Sequence, residues 1–381
     1  GGIYNEDGTP QITNCTISGN SAIGYNSEGG GMYNSNAGAG AVKLTNCTIT
    51  DNSADRGGGI YNVDGSPSIT NCTITGNSAS SDGGGIYNED GTPQITNCTI
   101  SSNSASDDGG GIYNVDGNPN ITNCTITGNS ATYQWNEAGH GGGGIYNEDG
   151  TPQITNCTIS GNRATFTGGG IYNNDGNPIL TNCIVWGNAP SQVEGGSPSY
   201  YYSDIQGGGN VDSNIDQDPL FVRRVSPNDA PTSAGDYHLL NESPAIDAGD
   251  PGTVAEGALV TDIEGEDRIQ DGRIDMCAYE GGEEPPPPVF WKVNAAADPG
   301  GSGIEWESAF NTLSDAILEF YEHDQIWVAA GTYYPDEGRG AQADQFGVTD
   351  NNRNSTFAIP SGVKVYGGFN GTETDTIQRV N

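Results

Sequence analysis

Seven near-identical copies of one short sequence occupy the first half of the chain, and this repeat constrains the fold more than any other feature. Each copy reads GGGIYN, then ITNCTI, then GN.A, with small variations. The cysteines of successive copies are 32, 25, 26, 26, 33 and 26 residues apart. Because a period of about 26 residues is short for a pair of helices and fits one turn of a β-solenoid, the repeat predicts stacked rungs of two or three short strands.

The composition alone would suggest a different kind of chain. Only 33% of the 381 residues are hydrophobic, 60 are glycine, and the formal net charge is -37, a combination typical of disordered segments. The apolar residues nevertheless recur at fixed intervals, and strand-forming Thr, Ile and Tyr alternate with bends of Gly, Asn, Asp and Pro. We therefore expect an all-β solenoid rather than a disordered chain or a large globular core.

The charge also limits the classes of partner. Twelve Lys and Arg stand against 49 Asp and Glu, which disfavours nucleic acid and anionic lipid surfaces and leaves cations, neutral glycans or proteins. No apolar run approaches the roughly 20 residues that span a bilayer, so the sequence predicts no transmembrane segment. Strong acidity with abundant Asn, Thr, Ser and Gly favours an extracellular or cell-surface location.

The ITNCTI part of each copy predicts a corner. Ile12 and Asn14 share one strand parity while Cys15 and Ile17 share the other, so the inward face switches between residues 14 and 15. Stacked rungs place equivalent asparagines about 4.8 Å apart, where amides can hydrogen-bond as a ladder. We expect this column to be buried. It consists of Asn14, Asn46, Asn71, Asn97, Asn123, Asn156 and Asn182.

The cysteines form the next column. Stacked Cα atoms lie within disulfide range, but parallel Cβ vectors leave the Cβ atoms farther apart than the usual distance of about 3.8 Å. The column contains no CxxC pair and no neighbouring histidine, so metal binding is not expected. We interpret these residues as small buried apolar side chains. They are Cys15, Cys47, Cys72, Cys98, Cys124, Cys157 and Cys183.

Two further corners are predicted at Gly19-Asn20 and at Asp7-Gly8-Thr9-Pro10, because Gly, Asn and Asp tolerate left-handed backbone. Stacked carboxylates at the second of these corners repel one another unless cations or hydrogen bonds intervene. Calcium could bridge them, or each Asp could form an Asx turn with its own backbone. We therefore expect that the fold requires no cofactor. The alternative is that calcium ions bind at this corner. The residues concerned are Asp7, Asp64, Asp90, Asp116, Asp149 and Asp175.

Insertions are confined almost wholly to one edge of the solenoid. The stretch between GN.A and the next GGG varies from two residues, Asp55 and Arg56, to nine, residues 132–140. Such an edge is either a binding face or the place where loops are tolerated. On the first interpretation, Tyr133 and Trp135 in the longest insertion are the candidate contacts for sugar rings.

An enzyme interpretation rests on the same edge. Gly139-His140-Gly141 is similar to the GHG triplet of polygalacturonases, and Asp82, Asp107-Asp108 and Arg163 lie on neighbouring copies. Carboxylates on successive or alternate rungs would be roughly 5 to 10 Å apart, the separation that glycosidases use. No Asn-x-Asp partner motif of that family accompanies these residues at this edge, and the chain has no Arg-x-Lys pair. We therefore expect no catalytic residues.

The GGGIYN and NCTI.GN motifs of residues 1–190 resemble the repeats of polymorphic outer-membrane proteins and related bacterial surface proteins. The resemblance implies a right-handed parallel β-helix of the pectate-lyase type. Segments in residues 191–282, such as SDIQG, IDQDPLF and SPAIDAG, resemble the final rungs and C-terminal cap of secreted β-helix proteins. That family usually has glycine where this chain has Cys277, so the resemblance gives Cys277 no role.

An acidic and polyproline linker, residues 283–288, precedes a different pattern in residues 289–381. This last segment resembles the N-terminal start of β-helix proteins, with a short capping helix predicted over residues 306–321. Its position after the repeats suggests that it begins a β-helix that continues as the first rung of the next subunit. We expect a head-to-tail homopolymer or a tandem array.

The function that these features favour is a non-catalytic extracellular structural protein whose β-helix serves as a rod. The first alternative is a carbohydrate-binding surface adhesin. The second is a polysaccharide-degrading β-helix enzyme.

Overall fold

The computed structural model describes residues 1–35, 42–133, 141–253, 260–270, 272–284, 290–297, 302–313, 316, 325–329, 333 and 364–369. The chain forms two compact units, Gly1–Glu284 and Pro285–Asn381. Within the described residues, no helix is long and apolar enough to span a bilayer.

The first unit is a right-handed parallel β-helix built around three eight-stranded sheets. Sheet 1 holds the GGGIYN strands, Ile3–Glu6, Met32–Ser35, Ile60–Val63, Ile86–Glu89, Ile112–Val115, Ile145–Glu148 and Ile171–Asn174, followed by Val193–Gly195. Sheet 2 holds Gln11–Thr13, Lys43–Thr45, Ser68–Thr70, Gln94–Thr96, Asn120–Thr122, Gln153–Thr155, Ile179–Thr181 and Ser199–Tyr201. Sheet 3 holds Thr16–Ser18, Thr48–Thr50, Thr73–Thr75, Thr99–Ser101, Thr125–Thr127, Thr158–Ser160, Ile184–Trp186 and Asp204–Ile205.

A fourth, narrower sheet follows sheet 3 in five rungs. Its two-residue strands are Ser53–Ala54, Ser78–Ala79, Ser104–Ala105, Ser130–Ala131 and Arg163–Ala164. The eight rungs together extend over about 34 Å at the usual strand spacing.

Neighbouring rungs pair in the same register, so equivalent residues lie directly above one another. Ile86 pairs with Ile60 on one side and with Ile112 on the other, and Ile74 and Ile95 pair in the same way within sheets 3 and 2. The inward isoleucines of all three sheets are buried to 0% exposure from the third rung to the sixth. This stacking gives a continuous apolar core in spite of the low hydrophobic content.

Two asparagine ladders, which the sequence analysis did not predict, run through the interior. In one, the side chain amide of each GGGIYN asparagine donates to the side chain oxygen of the next, as in Asn62 to Asn88 at 2.9 Å. In the other, Asn77 donates to Asn103 at 3.0 Å and also to the carbonyl of Ile49 at 2.9 Å. Buried amides need such partners. The members are Asn34, Asn62, Asn88, Asn114, Asn147 and Asn173 in the first ladder, and Asn52, Asn77, Asn103, Asn129, Asn162 and Asn188 in the second.

The predicted corners are present. Asn14 has φ 53° and its six equivalents have φ between 51° and 53°, while Gly19 has φ 66° and Asp7 has φ 58°. These are left-handed conformations, which Asn, Asp and Gly adopt at the least cost. The corner residues of the repeat are therefore fixed by backbone geometry.

The prediction that the NCT asparagines are buried was wrong for the first rungs. Asn14, Asn46 and Asn71 are exposed, because the left-handed corner turns their side chains away from the core. Asn46 still donates to Asn14 at 3.1 Å, on the surface of the solenoid. The equivalents Asn123, Asn156 and Asn182 are buried and continue the column at 3.0 Å.

Residues 220–253, 260–270 and 272–283, which we call the strap, cover the NCT corner and the outer face of sheet 3 in the later rungs. Its three-stranded sheet consists of Phe221–Arg223, Asp236–Leu240 and Gly282–Glu283, and a 3-10 helix spans Pro227–Asp229. Asn123 donates to the carbonyl of Thr261 at 3.0 Å, and the N–H of Asp250 donates to Asn182 at 2.7 Å. Of the described part of residues 191–282, only 193–205 form a further rung with a strand in each of the three sheets, and the strap lies along the side of the solenoid.

The strap has an apolar interface with sheet 3. Ile184 and Trp186 point outward from the seventh rung and pack with Phe221, Leu239 and Met276 of the strap. Cys277 belongs to the same cluster and is fully buried. Its role is therefore that of a small apolar side chain at this interface.

The second unit contains a three-stranded parallel sheet of Phe290–Val293, Gln325–Ala329 and Lys364–Phe369, in that order. Trp306–Ser308 is a 3-10 helix, and Leu313 and Ala316 are helical. Both of these side chains pack with Val293, Phe310 and Ile326. The predicted capping helix was wrong for residues 309–312, which are not helical because Phe310 instead forms a β-bridge with Val293. Residues 314, 315 and 317–321 of that helix, and the polyproline part of the linker, lie outside the described residues.

We predict that Asn103→Ala lowers the free energy of unfolding of the first unit by about 3 kcal/mol. The substitution removes the bonds of Asn103 to Ile74, Asn77 and Asn129 and leaves buried polar groups unsatisfied. The matched control is Asn120→Ala, which removes only an exposed bond to Gln94. Guanidinium denaturation followed by circular dichroism measures both. Equal midpoints for the two variants would contradict the importance of the inner ladder.

Candidate functional surface

The Asp corner lies on the solvent side of the solenoid. All six of its aspartates are exposed and adopt φ between 56° and 61°. They lie at the positions where Asx turns and left-handed backbone are expected. Among the described residues, no group of three or more His, Cys, Asp or Glu side chains converges closely enough to hold a metal ion. Calcium bridging between these corners stays a prediction.

The cysteine column runs along the inside of the NCT corner. The prediction of buried side chains was wrong for Cys15, which is exposed at the first rung, whereas the six later cysteines of the column are buried; all seven carry free thiols. Each buried sulfur contacts backbone groups, as where the N–H of Cys72 donates to Sγ of Cys98 at 3.4 Å. Burial raises the pKa of the thiols of Cys124 and Cys183 far above its ordinary value, so these thiols are protonated and unreactive.

Two carboxylates of the variable edge do come together. Asp82 and Asp108 precede the GGG of successive rungs, and Oδ1 of Asp82 accepts the N–H of Asp108 at 3.3 Å. Oδ1 of Asp108 in turn accepts the N–H of Gly141 at 2.6 Å. Asp108 is only 5% exposed, and burial raises the pKa of Asp82. One oxygen of each carboxylate thus bonds to the backbone of the next rung.

The other residues of the enzyme interpretation are placed differently. Asp107 accepts a hydrogen bond from Ser81 at 3.2 Å, and Arg163 is exposed in the narrow fourth sheet. Arg56 lies 3.9 Å from Asp82 and 5.9 Å from the ring centre of Tyr87. His140, the essential residue of that interpretation, lies outside the described residues.

A tyrosine stack runs beside these carboxylates on the outer face of sheet 1. Ring centres of successive tyrosines are 4.7 to 5.6 Å apart, and the first five pairs are within 15° of parallel. The stacked faces are occupied by neighbouring rings, so inside the stack no face is available to a sugar. The members are Tyr4, Tyr33, Tyr61, Tyr87, Tyr113, Tyr146 and Tyr172.

Some phenol hydroxyl groups of the stack donate hydrogen bonds to glutamates at the ends of the sheet 1 strands. Tyr61 donates to Glu89 at 2.6 Å and Tyr113 donates to Glu148 at 2.8 Å, in each case one rung onward. Burial, together with these carboxylates, raises the pKa of both phenols beyond the range in which tyrosine ordinarily ionises. The stack is therefore a neutral, hydrogen-bonded layer between two lines of acidic residues.

The predicted glycan contacts are only partly visible. Tyr133 is half-buried, and its ring meets that of Phe166 edge to face at 6.4 Å on the next rung. Trp135 lies outside the described residues. The described part of the insertion thus presents two aromatic rings on adjacent rungs of the variable edge.

Sequence reasoning missed two groups of buried titratable residues. In the last rung, Asp204 is fully buried, its Oδ2 has no hydrogen-bond partner, and burial raises its pKa to about 7. In the strap, the side chains of His238, Glu280 and Arg268 are partly or wholly buried, and His238 and Arg268 each lie beside a glutamate. Neither group repeats along the chain, and no spacing in the sequence pointed to them.

Comparison with protein families gives one match. The family model described as right handed beta helix region matches residues 1–145. The match covers the first five rungs, and the structure continues the same coil through Ile205. The comparisons with curated proteins and with solved structures gave no match.

We predict that Tyr87→Ala lowers the free energy of unfolding by about 3 kcal/mol. Tyr87 lies in the middle of the stack, with ring centres of Tyr61 and Tyr113 at 4.7 and 4.8 Å. The control is Tyr25→Ala, whose side chain is 95% exposed and whose loss should change stability by less than about 0.5 kcal/mol. Denaturant midpoints compare the two. A change in Tyr25→Ala as large as in Tyr87→Ala would refute a stabilising role of the stack.

Proposed function

We propose that this protein is a non-catalytic, extracellular structural protein in which the β-helix of the first unit serves as a rod. The observation that carries the proposal is the use of the repeated polar and aromatic side chains within the coil itself. The two inner asparagine ladders and the tyrosine stack connect each rung to the next. Side chains held in this way contribute to rigidity rather than to chemistry on a substrate.

The variable edge supports the non-catalytic assignment. A catalytic acid or base must come within hydrogen-bond reach of its substrate. Asp82 and Asp108 each use one carboxylate oxygen to bind the backbone of the following rung, and Asp108 is almost fully buried. These bonds favour a role in holding the loops of this edge in place.

The finer part of the proposal is self-assembly by end-to-end stacking. Every rung presents the same strands in the same register, so a rung from another copy can extend each sheet by the same hydrogen bonds. The three-stranded parallel sheet of the second unit is of the same kind. The partner in this proposal is a second copy of the chain, as a homopolymer or a tandem array.

Light scattering on the purified chain, from about 1 to about 100 µM, together with negative-stain microscopy, tests the assembly. We expect a molar mass that rises with concentration and particles that lengthen along one axis. A constant monomer mass over the whole range contradicts end-to-end stacking.

Incubation with pectin-type polysaccharides should release no reducing sugars. If the chain releases reducing sugars and the Asp108→Asn variant does not, the result would favour an enzyme over a structural rod.

A carbohydrate-binding adhesin is the second candidate, favoured by the adjacent rings of Tyr133 and Phe166. Aromatic rings at the variable edge are suited to contact sugar rings. On a glycan array, this candidate predicts a signal that falls at least tenfold in Tyr133→Ala and is retained in Tyr25→Ala. Equal binding by the two variants, or no binding by the unmodified chain, would rule it out.

A further inference from the structure

The strap is attached to the solenoid by a small number of polar bonds at the edges of an apolar interface. The N–H of Thr232 donates to the carbonyl of Gly128 at 2.8 Å, and the N–H of Ala278 donates to Oγ1 of Thr158 at 3.3 Å. Between these points, Trp186 of the solenoid is 8% exposed beneath the strap. Any change that loosens the strap therefore uncovers an aromatic side chain and a face of sheet 3.

One histidine connects two parts of the strap. Nδ1 of His238 lies 2.6 Å from Asp236, and Nε2 lies 3.2 Å from Glu264 in the following loop. A neutral imidazole can donate from only one nitrogen, whereas the cation donates from both. The ring also lies 4.0 Å from that of Tyr279. Protonated His238 therefore bridges the central strand of the strap to the loop that contains Glu264.

A buried acidic cluster lies close to this bridge. Glu280 is 3.6 Å from the fully buried guanidinium of Arg268, and the N–H of Glu280 donates to Asp262 at 3.0 Å. Glu280 in turn accepts the N–H of Asp275 at 3.3 Å. The carboxyl groups of Glu280 and Asp275 thus lie beside one buried cation. Full ionisation of both leaves an excess of negative charge in a site shielded from water.

We propose that the strap is a pH-sensitive cover: protonation of His238 and of the Glu280 cluster holds it on sheet 3, and loss of these protons releases it. Both events act in the same direction. Deprotonated His238 loses one of its two carboxylate bonds, and deprotonated Glu280 adds a charge beside Asp275 and Asp262.

The direction of the pH dependence follows from the two pKa shifts. Burial lowers the pKa of His238, but its bonds to Asp236 and Glu264 outweigh that effect and raise the pKa above its ordinary value. The bridge is thus complete below about pH 6.5 and is lost as the pH rises through the folded-state value. Burial and Asp275 raise the pKa of Glu280 to about 8, against the opposing effect of Arg268. Glu280 therefore keeps its proton in the folded state, and its contribution to the stability of the folded strap is lost as the pH rises towards 8.

The other charged neighbours of the two sites do not reverse this direction. Arg223 is the strand neighbour of Asp236, and Tyr279 lies near Glu264, Asp236 and Asp262. Burial raises the pKa of Asp275 as well, so a second acid of the cluster opposes ionisation. The strap is therefore held most firmly in mildly acidic solution and least firmly in alkaline solution.

Hydrogen exchange with mass spectrometry on the full chain tests the switch at about pH 6 and about pH 9, after correction for the intrinsic exchange rate. We expect strap peptides covering residues 236–240 and 272–283 to open at least tenfold more often at the higher pH. Peptides of the third rung, residues 68–75, serve as the internal control and should not change. Strap and rung peptides that open to the same extent would overturn the proposal.

Two matched variants separate the switch from general instability. Glu264→Gln removes the far partner of the bridge, while Glu266→Gln removes a charge two residues away in the same exposed loop. We expect the first to open the strap at about pH 6 at least threefold more often than the unmodified chain, and the second to leave it unchanged. His238→Gln should remove the part of the pH response that His238 contributes and leave the part that Glu280 contributes. Identical responses in the two glutamine variants would also overturn the proposal.

Discussion

The structure depends on the exact register of its parallel strands. Pairing such as Tyr87 with Tyr61 and Tyr113 places equal side chains directly above one another at about 4.8 Å. A side chain that repeats in every rung must therefore tolerate its own copy as a nearest neighbour. Ile does so by apolar contact, Asn by donating to the next amide, and Tyr by stacking. These three residue types, together with the small side chains of the Cys and Ala columns, accordingly fill the repeated buried and half-buried positions.

Much of this architecture could be predicted from the sequence because it repeats. The period of about 26 residues, the corners at Asn14 and Gly19 and the tyrosine stack all follow from residue types that recur at fixed positions. The direction of the corner asparagines could not be inferred from strand parity. A residue with φ of 53° does not follow the inward and outward alternation of side chains along a strand, so Asn14 faces solvent. The asparagines of the GN and IYN motifs line the interior instead.

The strap was beyond sequence reasoning for a different reason. Its contacts with the solenoid, such as those of Ala278 with Thr158, join positions that are 120 residues apart and occur once. The bonds of His238 to Asp236 and Glu264 are equally singular. Only Ile184 and Trp186, which replace the usual Thr and Ser of sheet 3, indicated that the outer face of the seventh rung is covered.

A side chain that repeats in every rung has its own copy as nearest neighbour, and this explains why the acid after IYN is not repeated in every rung. Glu89 pairs with Val63 on one side and with Val115 on the other, so no two of these carboxylates are nearest neighbours in the middle of the solenoid. A carboxylate in every rung would repel its copies at strand spacing in a partly buried position. With the alternation, Glu89 and Glu148 each accept a phenol from the rung before. The aspartates of the following corner do recur, because they are exposed and screened by solvent.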